Sequence, residues 1–417
     1  MIDRKTIIHI IIIFCIALTV GNAFGWLFAK IVFLPGDVDG FDRMSLRFAV
    51  HGDLDGSVRL PPAFPVFMGS MYRIFGASYN SYVFFQSILL GILAILVYLI
   101  SLESFKSRKI ALVTGLITII FPTILWYVPR YWIELLFASF AIIMLWSASK
   151  AIEKPTARNL IVFGVVTGLT ALCKAVVLLF PLFLAFFVLF LRIIKAKPFE
   201  KLATGRIIGL FLIPTTIMIL VLSPWTIRNR IVTGKWLLVS SNSSVEFLRG
   251  NAMAENNSFL PQNTILEIWG EVVTREHEIL REHGNEDPSD IEKDEIFNPI
   301  MKDFILHRPF DFALKIVKQI PAFWINGETT FKSLVFLAIS LPTIVLFIIG
   351  FAATHRELFF ANAAIILLVY FNLIYAAVLA FARYSMPMYP PMLILAVYAV
   401  FQIFEKVKTL RSDEKSS

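Results

Sequence analysis

Long apolar stretches constrain the fold of this sequence more than any other feature. A membrane hydrocarbon core about 30 Å thick is crossed by a helix of about 20 apolar residues. Ten stretches approach that length and contain few charged residues. Hydrophobic residues make up 58% of the 417 residues, whereas soluble proteins contain about 45–50%. We therefore predict an all-α polytopic membrane protein with about ten transmembrane helices, at residues 7–33, 81–102, 110–128, 131–149, 159–177, 178–194, 207–226, 333–353, 358–379 and 384–404.

Basic residues lie mainly at one end of these stretches. If the N-terminus is cytoplasmic, every short inner connection carries Lys or Arg, for example Arg108, Lys154 and Lys197, as the positive-inside rule requires. An even number of spans then returns the C-terminus to the cytoplasm. The net charge of +8 belongs to these span flanks and forms no separate basic patch. We therefore expect membrane lipid as a partner and exclude nucleic acid.

Two long segments lie on the outer side in this topology. The first outer loop covers 35–80, and the second, 228–332, has the composition of a soluble segment. This pattern predicts three parts, namely an N-terminal transmembrane module, an outer-face loop domain, and C-terminal transmembrane helices with a cytoplasmic tail, at residues 1–227, 228–332 and 333–417.

Apolar residues recur with helical spacing at the end of the second outer segment. Phe310, Ala313, Val317, Ile320 and Trp324 would share one face of a helix. Such a face is typical of a helix lying in the membrane interface. It would equally suit an amphipathic helix that packs into a core of the loop domain.

The first outer loop is rich in carboxylates close to the end of the first span. Asp37, Asp39 and Asp42 fall within six residues. Carboxylates are costly near hydrocarbon, so their presence there usually marks a functional site. The D-x-D spacing of Asp37 and Asp39 occurs in enzymes that bind a metal and a nucleotide diphosphate. However, no glycine-rich nucleotide motif accompanies it. A solvated acidic turn, or an N-cap for a short helix over 41–51, is the alternative interpretation.

Several basic residues occupy predicted outer span ends, where the positive-inside rule disfavours them. Snorkelling to lipid headgroups would explain any one of them, but together they indicate a phosphate site, because a guanidinium can bind two phosphate oxygens. The basic residues are Arg130, Lys174, Arg228, Arg230 and Arg383.

Glu134 lies near the outer end of the fourth span, where it either pairs with Arg130 at i−4 or acts as a second carboxylate of the site.

In order along the chain, these features resemble the GT-C superfamily of membrane glycosyltransferases. The resemblance is to the branch containing protein O-mannosyltransferases and the lipid A aminoarabinose transferase. Asp37 followed by Phe41 is similar to the family's acidic and aromatic pair, although the family usually has Tyr at the second position. The other similar segments are Arg59–Pro65, Phe121-Pro122 with Glu134, Pro224-Trp225 with Arg228-Asn229, Gly234-Lys235, Arg249-Gly250-Asn251, and Arg383-Tyr384 with Pro387 and Pro390.

The resemblance implies a glycosyltransferase that moves a sugar from a polyprenyl-phosphate donor to a glycan, lipid or protein acceptor at the outer membrane face. Asp37 would be the general base, with Asp39 as the alternative and Glu134 as a further catalytic carboxylate. Arg59 and Asn251 would serve the acceptor or the loop. The residues expected to bind the donor phosphate are Arg383, Lys174, Arg228, Arg130 and Tyr384.

Other interpretations stay open from the sequence. A polysaccharide polymerase or ligase would also have large outer loops and arginines, and a transporter of lipid-linked glycans would share the topology. No cofactor is indicated, although a divalent metal between Asp37 and Glu134 is compatible with the residues. The compact chain favours a bacterial inner (plasma) membrane.

Overall fold

All regular secondary structure in the described part of the chain is helical. The computed structural model describes residues 3–31, 40–54, 56–256, 265–354 and 357–414. Two short 3-10 helices, Ala175–Val177 and Ala382–Met388, interrupt the α-helical pattern. The α-helices are α1 (Arg4–Ile31), α2 (Phe41–His51), α3 (Ala63–Phe75), α4 (Tyr79–Phe105), α5 (Arg108–Ile120), α6 (Pro122–Leu125), α7 (Glu134–Glu153), α8 (Ala157–Cys173), α9 (Phe180–Ile193), α10 (Thr204–Thr233), α11 (Ser243–Asn256), α12 (Ile265–Glu282), α13 (Asp290–His307), α14 (Pro309–Ile325), α15 (Thr330–Ala353), α16 (Phe359–Val378) and α17 (Tyr389–Glu414).

The prediction of an all-helical multi-pass membrane protein is confirmed. Within the described residues, 8 helical stretches are long and apolar enough to cross a membrane, and they contain α1, α4, α7, α9, α10, α15, α16 and α17. The other two predicted spans, 110–128 and 159–177, correspond to the shorter helices α5 and α8. In the described part of the chain, eight helical stretches, rather than ten, therefore meet the length and composition of a full span.

Extended backbone at two residues explains where the helices depart from the predicted spans. The span predicted at 110–128 stops as a helix at Ile120, because Phe121 precedes Pro122 and is extended (ψ 122°). The break predicted near Leu178 instead falls at Lys174, whose backbone is extended (φ −147°, ψ 125°). The predicted boundaries at 227/228 and 332/333 fall inside α10 and α15, so the loop segment is continuous with span helices.

Glycines allow two of the helices to pack closely. Gly164 and Gly168 of α8 have the spacing of a small-residue packing motif. A Cβ added at Gly164 would lie 2.8 Å from the carbonyl oxygen of Pro214 in α10, and one at Gly168 would lie 2.7 Å from Val221 Cβ. The same helix α8 also packs against α7, which in turn contacts α4 and α16. These contacts make α7 a central helix and bury the residue at its start.

Helix α14 reverses the usual burial pattern of an amphipathic helix. Phe310, Val317 and Ile320 are exposed, and Phe310 is 79% exposed, while Lys315 and Gln319 are buried against α11. Trp324, which the sequence grouped with the apolar face, is buried because it lies among Phe323 and Tyr389. An exposed apolar face with a buried polar face is typical of a helix in contact with lipid.

Candidate functional site

Glu134 is the first residue of α7 and is only 1% exposed. Its Oε1 lies 3.0 Å from Lys174 Nζ and 3.5 Å from Arg383 Nε. These three residues come from segments far apart in the sequence, so only the tertiary fold brings them together. Glu134 Oε2 is buried and has no hydrogen-bond partner among the described residues. We call Glu134, Lys174 and Arg383 the buried triad.

The position of Glu134 corrects one interpretation of the sequence. Glu134 was expected one turn inside a helix, with Arg130 four residues earlier on the same face. The helix begins only at Glu134, so no helical i−4 relationship exists, and Arg130 Nη1 instead lies 3.9 Å from Glu328. An acidic residue in the first turn also interacts favourably with the positive end of the helix dipole.

The break after α8 places Lys174 in the triad. The backbone N–H of Lys174 still donates to Thr170, as the last turn of the helix, and the chain then leaves α8 in an extended conformation. Its Nζ lies 5.3 Å from the ring centroid of Phe137 and 5.2 Å from that of Tyr384. The amine is therefore directed along aromatic faces toward Glu134 rather than toward lipid headgroups.

Arg383 lies in the 3-10 helix that precedes α17. Two backbone contacts hold this segment: the N–H of Ala382 donates to the carbonyl of Asn326 (3.0 Å), and that of Ala380 donates to Gln319 Oε1 (2.8 Å). The next residue, Tyr384, stacks on Tyr375 with ring centroids 4.7 Å apart. The predicted site residues Arg383 and Tyr384 are thus fixed from both sides.

Trp132 connects the triad to Arg130. Its ring centroid lies 4.7 Å from Arg383 Cζ and 5.0 Å from Arg130 Cζ. Gln86 Nε2 donates to the Trp132 carbonyl (3.1 Å), and the Trp132 N–H donates to Tyr82 Oη (3.1 Å), which fixes the backbone. The indole therefore contacts two guanidinium groups and fixes their relative positions.

Arg130 is enclosed by aromatic side chains rather than extended toward headgroups. Its Cζ lies 4.7 Å from the ring of Trp126 and 5.7 Å from that of Phe28. Neither ring, nor Trp132 or Glu328, was identified from the sequence as part of the site. The aromatic run Trp126, Tyr127, Tyr131 and Trp132 around Arg130 was the available signal, but in an apolar protein such a run indicates lipid contact equally well.

The predicted general base, Asp37, precedes α2 in the sequence and lies outside the described residues. Asp37 and Asp39 have no described position. The loop enters α2 at Gly40, which occupies the N-cap position with φ 83° and no side-chain cap. Phe41 packs on Phe64, with ring centroids 5.7 Å apart.

The packing behind α2 leads toward Trp132. The ring of Phe64 lies 6.5 Å from that of Tyr82, and Tyr82 Oη accepts from the Trp132 N–H. The third acid of the loop, Asp42, accepts a 2.6 Å hydrogen bond from Tyr72 Oη. The start of α2 is therefore joined by side-chain packing to the segment that carries Arg130 and Trp132.

The described contacts of Arg228 and Arg59 are with residues other than the triad. Arg228 Nη1 donates to the Ser57 carbonyl (3.0 Å), and its guanidinium stacks on Trp225. Asn229 Nδ2 donates to the carbonyls of Leu237 and Val239. The motif Pro224–Asn229 thus fastens the first outer loop and the segment after α10 to the end of that helix. Arg59 is half-buried, and its backbone N–H faces Ser57 Oγ.

Asn251 lies on α11, which is attached to the segment carrying Arg383. A Cβ added at the preceding Gly250 would lie 1.8 Å from the carbonyl oxygen of Val378. Gln319 Nε2 donates to the Gly250 carbonyl (3.0 Å), and the Oε1 of the same side chain accepts from Ala380. Asn251 itself is buried.

Lys315 gives this region a predicted pH dependence. Its Nζ donates to the Phe247 carbonyl (3.0 Å), and burial lowers the pKa of Lys315 from 10.5 to about 6. Between these values the unfolded chain binds a proton that the folded chain lacks, so stability rises with pH. We expect the free energy of unfolding to rise by up to about 1.4 kcal/mol per pH unit from about pH 6.5 to about pH 9.

Thermal unfolding of the solubilised protein across that pH range would measure this slope. Lys315→Met should remove most of the slope, because the titrating group is gone. Lys318→Met is the matched control, because Lys318 donates from the same helix to Ala254 (3.1 Å) and should leave the slope in place. Equal slopes in the wild type and in Lys315→Met would contradict the prediction.

A metal centre is not evident among the residues with described positions. No group of three or more His, Cys, Asp or Glu side chains there could hold a metal ion. Asp37 and Asp39, the acids for which a divalent ion was considered, lie outside those residues.

Comparison with known proteins agrees with this architecture. A family model described as dolichyl-phosphate-mannose-protein mannosyltransferase matches residues 59–232, somewhat less than half of the chain. That range includes Arg130, Glu134, Lys174 and the Pro224–Asn229 motif. A search of curated proteins found no match.

A solved structure has a similar fold across the chain. It is the archaeal oligosaccharyltransferase AglB from Archaeoglobus fulgidus, in complex with an inhibitory peptide and a dolichol-phosphate, with a TM-score of 0.57 and 14% sequence identity. The similarity covers 98% of this chain and 52% of AglB, so this chain spans about half the length of that protein. The described part of the chain thus has a helical multi-pass fold similar to that of AglB, and residues 59–232 are similar to the dolichyl-phosphate-mannose-protein mannosyltransferase family.

Proposed function

We propose that this protein transfers a sugar from a polyprenyl-phosphate donor to a glycan, lipid or protein acceptor at the outer face of a bacterial plasma membrane. The convergence of Lys174 and Arg383 on the buried Glu134 carries the proposal. Lys174 and Arg383 are 16% and 24% exposed and share one carboxylate, so positive charge is in excess near the ends of membrane helices, where charge is costly. A lipid phosphate would supply the complementary charge.

The chemistry requires that the departing phosphate be stabilised. As the bond between the sugar and the phosphate oxygen breaks, negative charge grows on the phosphate, and preorganised cations lower the barrier. Arg383 can bind two oxygens through its planar guanidinium, and Lys174 adds a point charge. Arg130, which also contacts the Trp132 ring, together with Tyr384, would complete the phosphate site. Arg228 and Arg59 are assigned instead to anchoring the first outer loop.

Glu134 serves this site by positioning the two cations. One carboxylate oxygen holds Lys174 and Arg383, and the second is buried with no hydrogen-bond partner among the described residues. Asp37 is the proposed general base, which takes the proton from that hydroxyl as it attacks the sugar. Asp39 is the alternative base.

The donor class can be tested directly. The purified protein in liposomes should transfer labelled sugar from a polyprenyl-phosphate-linked donor and not from a nucleotide-linked donor. Asp37→Asn should reduce transfer at least tenfold, and Asp39→Asn should reduce it less. Absence of transfer from every polyprenyl-phosphate donor, with polymerisation or movement of a lipid-linked glycan instead, would reject the proposal in favour of a polymerase, ligase or transporter.

The outward orientation can be tested in intact cells. Asp53 and Glu286 are exposed on the two segments assigned to the outer face. Cysteines at these positions should react with a membrane-impermeant maleimide without lysis. A cysteine at Lys406, in the segment expected to be cytoplasmic, should react only after lysis. The reverse pattern would overturn both the orientation and the cytoplasmic assignment of the termini.

Trp132 is predicted to position the guanidinium groups. Trp132→Ala would remove the ring that contacts both Arg130 and Arg383, and we expect about a tenfold loss of kcat/KM from the loss of two cation–π contacts. Trp132→Phe keeps an aromatic face and should recover part of that activity. Steady-state kinetics with varied donor concentration would measure both. Wild-type activity in Trp132→Ala would exclude this role.

A further inference from the structure

The segment that leads from α16 to Arg383 has an extended backbone. Leu379 (φ −155°, ψ 124°) ends α16, and Phe381 (φ −132°, ψ 154°) precedes the 3-10 helix that carries Arg383. Extended backbone makes no helical hydrogen bonds within its own segment, so its buried N–H groups need partners from elsewhere in the protein. Ala380 and Ala382 are both buried, and their N–H groups are therefore the ones that fix the path of this segment.

Helix α14 supplies a partner for each of these two groups. The Ala380 N–H donates to Gln319 Oε1 (2.8 Å), and the Ala382 N–H donates to the carbonyl of Asn326 (3.0 Å). Asn326 is the residue that ends α14, and it contributes a backbone oxygen that any residue would provide. Gln319, in contrast, contributes a side-chain oxygen, so this contact depends on the residue type at position 319.

Both polar groups of the Gln319 amide are used. Its Nε2 donates to the Gly250 carbonyl of α11 (3.0 Å) while its Oε1 accepts from Ala380. A Cβ added at Gly250 would lie 1.8 Å from the carbonyl oxygen of Val378, so α11 touches the end of α16 beside this amide. The two hydrogen bonds fix the orientation of the amide, and Gln319 thereby joins α11, α14 and the segment that follows α16.

Helix α14 is itself attached to two span helices. Trp324 Nε1 donates to Asn372 Oδ1 of α16 (2.9 Å), and Ser340 Oγ of α15 donates to the Trp324 carbonyl (3.0 Å). Gln319 lies five residues before Trp324 on the same helix. The side chain that holds the extended segment therefore projects from a support that is fixed to the transmembrane part of the protein.

Arg383 requires such a support because its effect depends on its position. Its Cζ lies 4.7 Å from the ring centroid of Trp132, and its Nε lies 3.5 Å from Glu134 Oε1. These contacts orient the guanidinium but do not fix the backbone from which it extends. A preorganised cation lowers a barrier when it is held where negative charge develops, and a displacement of about 1 Å can cost about 10²-fold in rate.

We propose that Gln319 is a positioning residue for sugar transfer, which holds Arg383 at the departing phosphate through the hydrogen bond from Ala380. The proposal rests on the proposed function, because Gln319 acts on the phosphate-binding role of Arg383. Gln319 acts through the backbone of the extended segment and does not bind the donor itself.

Steady-state transfer by the full-length protein in liposomes would test this role. Gln319→Met, which is close in size but forms neither hydrogen bond, should lower kcat about 10–100-fold. The KM for the donor should change less, because the charge that Arg383 stabilises grows as the sugar–phosphate bond breaks. Gln319→Glu keeps an oxygen that accepts from Ala380 and should recover part of kcat.

Lys318→Met is the matched control. Lys318 donates from the same helix to the Ala254 carbonyl of α11 (3.1 Å), so this substitution removes a hydrogen bond between the same two helices. It leaves the hydrogen bond between Gln319 and Ala380 in place, and kcat should stay close to that of the wild type. A loss in Lys318→Met equal to that in Gln319→Met would overturn the proposal, because any loosening of α14 from α11 would then suffice.

A double variant separates positioning from a general structural effect. In the Arg383→Met background, Gln319→Met should lower kcat by less than about twofold, because the guanidinium that it positions is gone. All variants would be assayed well below their unfolding transitions. If Gln319→Met lowered kcat by the same factor in both backgrounds, Gln319 would act independently of Arg383 and the proposal would be overturned.

Hydrogen–deuterium exchange gives a readout that does not depend on activity. Gln319→Met should speed amide exchange at Ala380 about tenfold, because its hydrogen-bond acceptor is lost, and Lys318→Met should not. Equal exchange at Ala380 in Gln319→Met and the wild type would overturn the proposal. If the wild type transferred no sugar from any polyprenyl-phosphate donor, the proposed function would be rejected, and faster exchange in Gln319→Met would still support Gln319 as the residue that holds the Arg383 segment.

Discussion

Arg383→Met is expected to lower sugar transfer by about 10²–10³-fold, the usual loss when one preorganised charge-stabilising donor is removed. The arginine contacts both Trp132 and Glu134, and methionine would keep an unbranched apolar stem while removing the guanidinium and its charge. Transfer from a labelled polyprenyl-phosphate sugar in liposomes would measure the loss. Arg383→Lys should fall between the wild type and Arg383→Met, because an ammonium restores the charge without the planar fork.

An exposed arginine provides the control for the loss of a positive charge at the protein surface. Arg230 lies at the end of α10 and is exposed, with its guanidinium beside Trp236. Arg230→Met should retain close to wild-type transfer. If Arg383→Met also retained full activity while the wild type used the donor, the phosphate site would have to lie elsewhere.

Glu134→Leu is expected to lower the free energy of unfolding by about 3–5 kcal/mol, because it leaves Lys174 and Arg383 together without their buried counter-charge. Activity should also fall, since both cations lose the group that orients them. Thermal unfolding in detergent would measure the stability change. Lys150→Met is the control for an ordinary surface pair, since Lys150 and Glu103 are partly exposed and such pairs contribute about 1 kcal/mol or less.

A double variant tests whether the pairing itself is the cause. Lys174→Met in the Glu134→Leu background should restore part of the lost stability, because it removes one of the two cations that have lost the Glu134 carboxylate. The two substitutions should therefore be strongly non-additive. Additive destabilisation would show that the two side chains contribute independently, which would contradict the triad.

Much of the fold follows from hydropathy alone. The helices α1, α4, α15 and α16 lie close to their predicted spans, because a chain that crosses lipid must satisfy its backbone hydrogen bonds internally. The short helix over 41–51 was also predicted correctly. The helix ends were less predictable, and the errors at Phe121 and Lys174 both occur where local backbone conformation ends a helix inside an apolar run.

The candidate site was only partly predictable for a related reason. Arg130, Lys174 and Arg383 were noticed because cations are unusual at outer span ends. Their partners were less predictable, because a pair with Arg130 was only one of two interpretations of Glu134 and Glu328 was not considered. Sequence separation carries little information on which helix ends meet, since pairing depends on how the helices pack.

By itself, the sequence determined that this protein is helical, crosses the membrane several times and concentrates its charged residues at the helix ends. These properties follow from the cost of polar groups in hydrocarbon, which acts on each segment separately. The tertiary structure decided which of those residues meet. Glu134 meets Lys174 and Arg383 because α7 packs closely against both α8 and the segment before α17. Arg228 instead binds the first outer loop through the Ser57 carbonyl.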